Sequence, residues 1–209
     1  MAILAALALG AGGPAAAGDG IDARDREWFA TAYAGQFVTS NLVDLPLETV
    51  RGAAEFEDAF FLSGALSWVF LPSIRSDLPL VGGLLTGSSL ELEGQLGRQF
   101  GRQDHWEASL AVLWRTPDIR LPGDARLNLA FGEGLSWASS NPRLEGVIHG
   151  SRPKQFLNYL ALEAELRHPA APGVAIVPRI HHRSGIFGLI APQKTGSNFV
   201  GVGVRVDLR

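Results

Sequence analysis

The sequence contains no cysteine, which excludes disulfides, thiolate catalysis and cysteine-ligated zinc. A basic excess is missing too. Against 18 Lys and Arg stand 21 Asp and Glu, a formal net charge of −3, so no cationic surface invites nucleic acid. Beyond the first 17 residues no apolar run approaches the roughly 20 residues that a membrane-spanning helix needs, so a membrane location would require strands. No His, Asp and Glu spacing makes a metal set, since the adjacent His181 and His182 would point to opposite faces of a strand. No cofactor is expected: the glycines of 185–188 are followed by neither a helix nor the Lys-Ser/Thr of a phosphate loop.

What the chain does have is glycine, 25 residues of it, which suits turns and close strand contacts better than a helical bundle. Residues 1–17 are rich in alanine and leucine and end Gly13-Pro14-Ala15-Ala16-Ala17. That pattern predicts a signal peptide cut after Ala17, leaving residues 18–209 as one domain in an exported protein.

Two-residue alternation then recurs along the chain. Strands are predicted over 28–38, 59–70, 89–100, 106–115, 125–138, 156–167, 173–184 and 198–208, with 39–58 and 139–154 as loops. Gly132 to Ser136 breaks the alternation and marks a candidate bulge. The 71–88 stretch, with two prolines and paired glycines, argues against one continuous strand.

About eight amphipathic segments of roughly ten residues predict an all-β fold: an eight-stranded antiparallel up-and-down outer-membrane β-barrel with a polar lumen. Trp68, Trp106 and Trp114 fall near segment ends, where interfacial girdles form. The polar faces carry Glu91, Glu93, Glu107, Glu163 and Glu165 together with Arg115, Arg126, Arg179, Arg183 and Arg205. In a narrow eight-stranded interior such charges must pair, and both signs are supplied in equal number. Alternation alone does not say which face is wet, so a soluble lipocalin-like binder with these charges outside is the competing expectation.

The 173–184 segment carries candidate chemistry. Ile176, Pro178, Ile180, His182 and Ser184 share one face, and Arg179, His181 and Arg183 the other. In a barrel, His182 and Ser184 would face outward at headgroup depth, and His181 would pair with a lumen glutamate. Asn198 opens the last strand on the matching face and is placed to approach His182. A serine becomes a nucleophile when a histidine takes its proton and a third group orients the imidazole. A nucleophile facing lipid implies a substrate embedded there. Glu163 and Glu165 are expected to point into the lumen, and Glu133 is a more distant acid.

The His182-x-Ser184 pair at the end of a penultimate strand resembles the lipid A 3-O-deacylase family. That resemblance implies metal-free cleavage of an ester-linked acyl chain from lipid A of lipopolysaccharide, with Ser184 as nucleophile and His182 as base. It also implies residence among the outer-membrane lipids of a Gram-negative bacterium after signal-peptide cleavage. Where the family has asparagine after the serine, this chain has Gly185, whose backbone N–H is the candidate oxyanion donor. Residues 185–206 contain no Asp or Glu, so Asn198 takes the orienting place of the family's acid. A non-enzymatic structural barrel of the same fold is the alternative, and a homodimer is left open.

Overall fold

The computed structural model describes residues 27–76, 82–150, 152–186, 189–191 and 195–208. The predicted signal peptide and its cleavage site lie outside these residues. Among the described residues nine strands follow in order: β1 (Trp28–Val38), β2 (Phe56–Leu71), β3 (Ser89–Gly101), β4 (His105–Arg115), β5 (Ile119–Arg120), β6 (Arg126–Ala138), β7 (Phe156–Arg167), β8 (Val174–Ser184) and β9 (Gly196–Leu208). Eight pair antiparallel with their neighbours, β9 returns to β1, and β4 pairs with β6 to close the cylinder. The two-residue β5 is an appendage on the start of β6. Closure gives each of the eight long strands a partner on both edges, the condition for crossing lipid with strands.

The strand ends joined by the β1–β2, β3–β4, β6–β7 and β8–β9 connections lie at one end, here the upper end; both strand termini of the barrel, Trp28 and Leu208, lie at the lower one. Two upper loops read as irregular from sequence contain short helices, α1 (Leu45–Arg51) and α3 (Arg143–His149). Pro46 sits in the first turn of α1, where a missing N–H costs nothing. The 71–88 connection includes one helical turn, α2 (Gly82–Leu85), at the lower end.

Polarity is inverted relative to a soluble barrel. Val202 and Val204 are 50% and 47% exposed, while Arg179 and Glu163 are 4% and 6% exposed. A lipocalin-like interior would be apolar, so the soluble-binder expectation is overturned. Arg179 donates to Glu163 at 2.6 Å and to Glu93 at 2.7 Å, and its guanidinium lies 3.9 Å above the Tyr33 ring. Arg115 reaches Glu91, Glu163 and Glu165, and Arg205 reaches Glu91 at 2.9 Å. Higher up, His181 Nε2 meets Glu107 at 2.8 Å, the expected lumen pairing. Arg126 differs from the other nine predicted lumen charges: it sits half-exposed at the lower mouth, 3.5 Å from Asp118.

Above this ionic layer Phe37, Phe61, Phe199 and Leu144 of α3 pack as an apolar lid. Glu145, also from α3, drops inside to accept from Arg183 and Ser197, both at 2.8 Å. Outside, Trp28 stacks on Trp68 near the lower end, while Phe60 stacks on Phe100 toward the upper one. Trp106 and Trp137 stand exposed near the upper end and Trp114 faces outward near the lower one. The tryptophans thus lie toward both ends of the outer surface, where aromatic girdles meet headgroups.

The predicted bulge at Gly132–Ser136 is absent. β6 pairs without a register shift with both β4 and β7. The glycine there has another cause: a Cβ on Gly134 would stand 2.0 Å from the Leu110 carbonyl oxygen, so only glycine permits the close strand approach.

Candidate active site at the upper rim

β8 alternates as the sequence requires: Ala175, Val177, Arg179, His181 and Arg183 are buried inside, while Ile180, His182 and Ser184 lie half-buried on the outer face. Cross-strand register decides what stands beside them. His182 is flanked by Asn198 on β9 and Leu160 on β7; Ser184 is flanked by Gly196 and Asn158.

The expected approach of Asn198 to His182 is observed, with Nδ1 and Oδ1 2.6 Å apart. The other end of the same amide donates from Nδ2 to the Ser40 carbonyl oxygen at 2.7 Å. That carbonyl can only accept, so the amide nitrogen must face it and Oδ1 must face the imidazole. Nδ1 of His182 then carries the proton, which leaves Nε2 with the lone pair a general base needs. Ser40, in the loop after β1, was not identified from sequence; backbone carbonyls leave no compositional trace.

Ser184 is two residues along the same strand, so its Cα lies about 6.6 Å from that of His182. Among the described residues no hydrogen bond joins the two side chains. Catalytic hydrogen bonds are often long in unliganded sites, so this gap is compatible with a His–Ser pair.

Gly185 is buried, and its carbonyl accepts from the N–H of Ile190 at 3.0 Å and of Ala191 at 3.3 Å. A Cβ there would meet the Ala191 carbonyl oxygen at 2.4 Å. A side chain in place of this glycine is therefore excluded by packing. Ile186 follows with φ 46°, a left-handed conformation that costs an L-residue about 1–2 kcal/mol, so the backbone turns sharply immediately past the serine.

The candidate acids separate. Glu163 and Glu165 are buried in the lumen, as expected. Glu133 faces outward on β6, in the row Glu133–Leu160–His182. With Leu160 between them, it stands about two strand spacings, roughly 9.6 Å, from the histidine backbone and is not its orienting partner. Instead it accepts from the Asn158 amide. Asn158 was missed from sequence, though the signal was present: it is a polar residue on the same parity as the outward Leu160 and Leu162.

No protein-family model matches the sequence, and no curated protein matches it at a significant level. Solved structures do. The outer membrane enzyme PagL aligns with a TM-score of 0.53 at 14% identity, over 86% of this chain and 99% of that one. The fold is that of an outer-membrane barrel. Neisserial surface protein A (TM-score 0.47, 13% identity, 87% of this chain and 97% of that one) also aligns. So does the N-terminal β-barrel domain of Pseudomonas aeruginosa OprF (0.46, 11%, 88% and 98%). At such identities the likeness concerns the fold, and chemistry must be argued from this chain's own side chains.

Proposed function

We propose that this chain is an outer-membrane serine esterase that removes an ester-linked acyl chain from lipid A of lipopolysaccharide. One observation carries the reading. The chain Ser40 carbonyl–Asn198 amide–His182 Nδ1 fixes the imidazole tautomer on the lipid-facing side of an upper rim, one outward position from a serine. A purely structural rim has no need to orient a histidine so that its free nitrogen is available.

In this mechanism His182 Nε2 takes the Ser184 hydroxyl proton as Oγ attacks the ester carbonyl carbon. The negative charge develops on the former carbonyl oxygen, near the Gly185 backbone N–H. Collapse breaks the carbon–oxygen bond to the sugar alcohol, which leaves with the proton returned by His182. Water, deprotonated by the same nitrogen, then releases the fatty acid from Ser184. No metal or cofactor enters these steps. Asn198 orients the imidazole without a formal charge, so it stabilises the imidazolium less than a carboxylate would.

Mass spectrometry of lipid A from cells expressing the protein tests the proposal. A species lighter by one acyl chain, absent with Ser184→Ala, is the expected result; unchanged acylation with the wild-type protein refutes it. That outcome would favour a second reading, a non-enzymatic envelope barrel. Its supporting observation is that His182 contacts no carboxylate among the described residues.

A further inference from the structure

The outer face of the barrel is otherwise apolar at mid-strand, yet Glu133 sits there exposed, among Leu129, Phe131 and Leu135 on its own strand and beside Val112 and Leu160 on its neighbours. Among the described residues no Lys, Arg or His pairs with it. A lipid-facing carboxylate without a counter-ion is costly and marks a functional position. It is also held in place. Asn158, 6% exposed, donates its amide N–H groups to the Glu133 carboxylate and, at 2.9 Å, to the Gly134 carbonyl oxygen. Both acceptors belong to β6, so the Asn158 nitrogen is turned to that strand and, the amide being planar, its Oδ1 is turned away from it. On its β8 side, the cross-strand partner of Asn158 is Ser184.

Beside the serine, then, this chain presents acceptors: a carboxylate drawn up toward the rim and an amide oxygen, with both amide hydrogens already used. Such a set complements a hydrogen-bond donor and repels an anion. We infer that Glu133 and Asn158 form a specificity subsite that selects lipid esters carrying a neutral donor, a hydroxyl or amide N–H, a few bonds from the scissile carbonyl. This rests on the esterase reading only for the word scissile; donor binding beside Ser184 stands on the geometry alone. A satisfied carboxylate in an apolar setting discriminates strongly, because an analogue lacking the donor leaves the charge unpaired.

The test uses the full barrel in detergent micelles and two probes of equal chain length. Monodecanoylglycerol has free hydroxyls beside its ester; methyl decanoate has none. The wild-type protein is expected to favour the glycerol ester in kcat/KM by about tenfold or more, and Glu133→Gln to erase most of that preference while still cleaving methyl decanoate. Binding of the same probes to Ser184→Ala, and to Ser184→Ala combined with Glu133→Gln, reads the subsite without turnover. There the glycerol ester should bind about tenfold tighter, and only when Glu133 is present. If Ser184→Ala abolishes cleavage but Glu133→Gln leaves both preferences unchanged, the subsite is wrong and the esterase stands. If neither probe is cleaved yet binding discrimination is present and vanishes with Glu133→Gln, the esterase is wrong and the subsite stands. Equal binding of the two probes to Ser184→Ala overturns the subsite in either case.

Discussion

Replacing Arg179 with methionine probes the inverted polarity on which the rest depends. The Arg179 side chain is 2% exposed and bridges Glu93 and Glu163, both wholly buried. The two acids do not suffer equally. Glu163 keeps Arg115 at 2.9 Å and the Tyr33 hydroxyl at 2.7 Å, whereas Glu93 is left with the Ser67 hydroxyl at 3.2 Å. One carboxylate would then be buried without a cation. Breaking a buried pair from one side costs about 3–5 kcal/mol, against less than about 1 kcal/mol for the same pair in water. Methionine fills most of the arginine stem's volume, so a cavity adds little. Urea unfolding of the barrel reconstituted in lipid vesicles, followed by tryptophan fluorescence, should show a lower midpoint at unchanged slope. Adding Glu93→Gln to Arg179→Met should recover about 1–3 kcal/mol, because the stranded charge goes with it. A loss under about 1 kcal/mol, with no recovery in the double variant, would mean that these residues meet water and that the lumen argument is wrong.

Removing the orienting bond with Asn198→Ala should lower kcat about 10–100-fold, the equivalent of about 1.5–3 kcal/mol, with KM little changed. Asn198→Asp keeps an acceptor on Nδ1 but sets its second oxygen against the Ser40 carbonyl, so it should retain more kcat than Asn198→Ala; wild-type kcat in Asn198→Ala would separate Asn198 from catalysis. Gly185→Asn, which would mimic the asparagine of the lipid A deacylases, should lower rather than raise activity and speed proteolysis of the 185–195 loop, because Ala191 occupies the space. For the α3 lid, burial pushes the Glu145 carboxyl above its usual range despite the neighbouring Arg183. The folded lid therefore binds that proton more readily than an open one, so its stability is full below the ordinary carboxylate range and declines as pH rises through Glu145's raised value. Hydrogen exchange of the α3 amides, corrected for intrinsic rate, should slow on acidification, and Glu145→Gln should flatten the trend; faster exchange at low pH would contradict it.

Much of this molecule was determined by the sequence alone, and for a local reason. Successive side chains of a strand point to opposite faces by covalent geometry, so the segregation of Arg179, His181 and Arg183 from Ile180, His182 and Ser184 follows from their order in the chain. Alternation is, however, symmetric under exchange of inside and outside. Only closure of the eight strands, with complementary charges brought within hydrogen-bonding distance across the lumen, decided that the ionic face is the interior. The helices α1 and α3 escaped because seven residues give too little periodicity to read, and the expected bulge failed because Gly134 answers to a neighbouring strand's carbonyl rather than to its own backbone.

Register divides the site in the same way. That His182 and Ser184 share a face was written in their spacing. That Asn198 meets the imidazole, that Asn158 stands opposite the serine and that Glu133 is kept from His182 by Leu160 depends on how strands slide past one another. A slip of two residues would preserve every face and change every partner. Which side chains share a face is thus a property of the chain; which face turns outward, and which atoms can react together, are properties of the closed barrel.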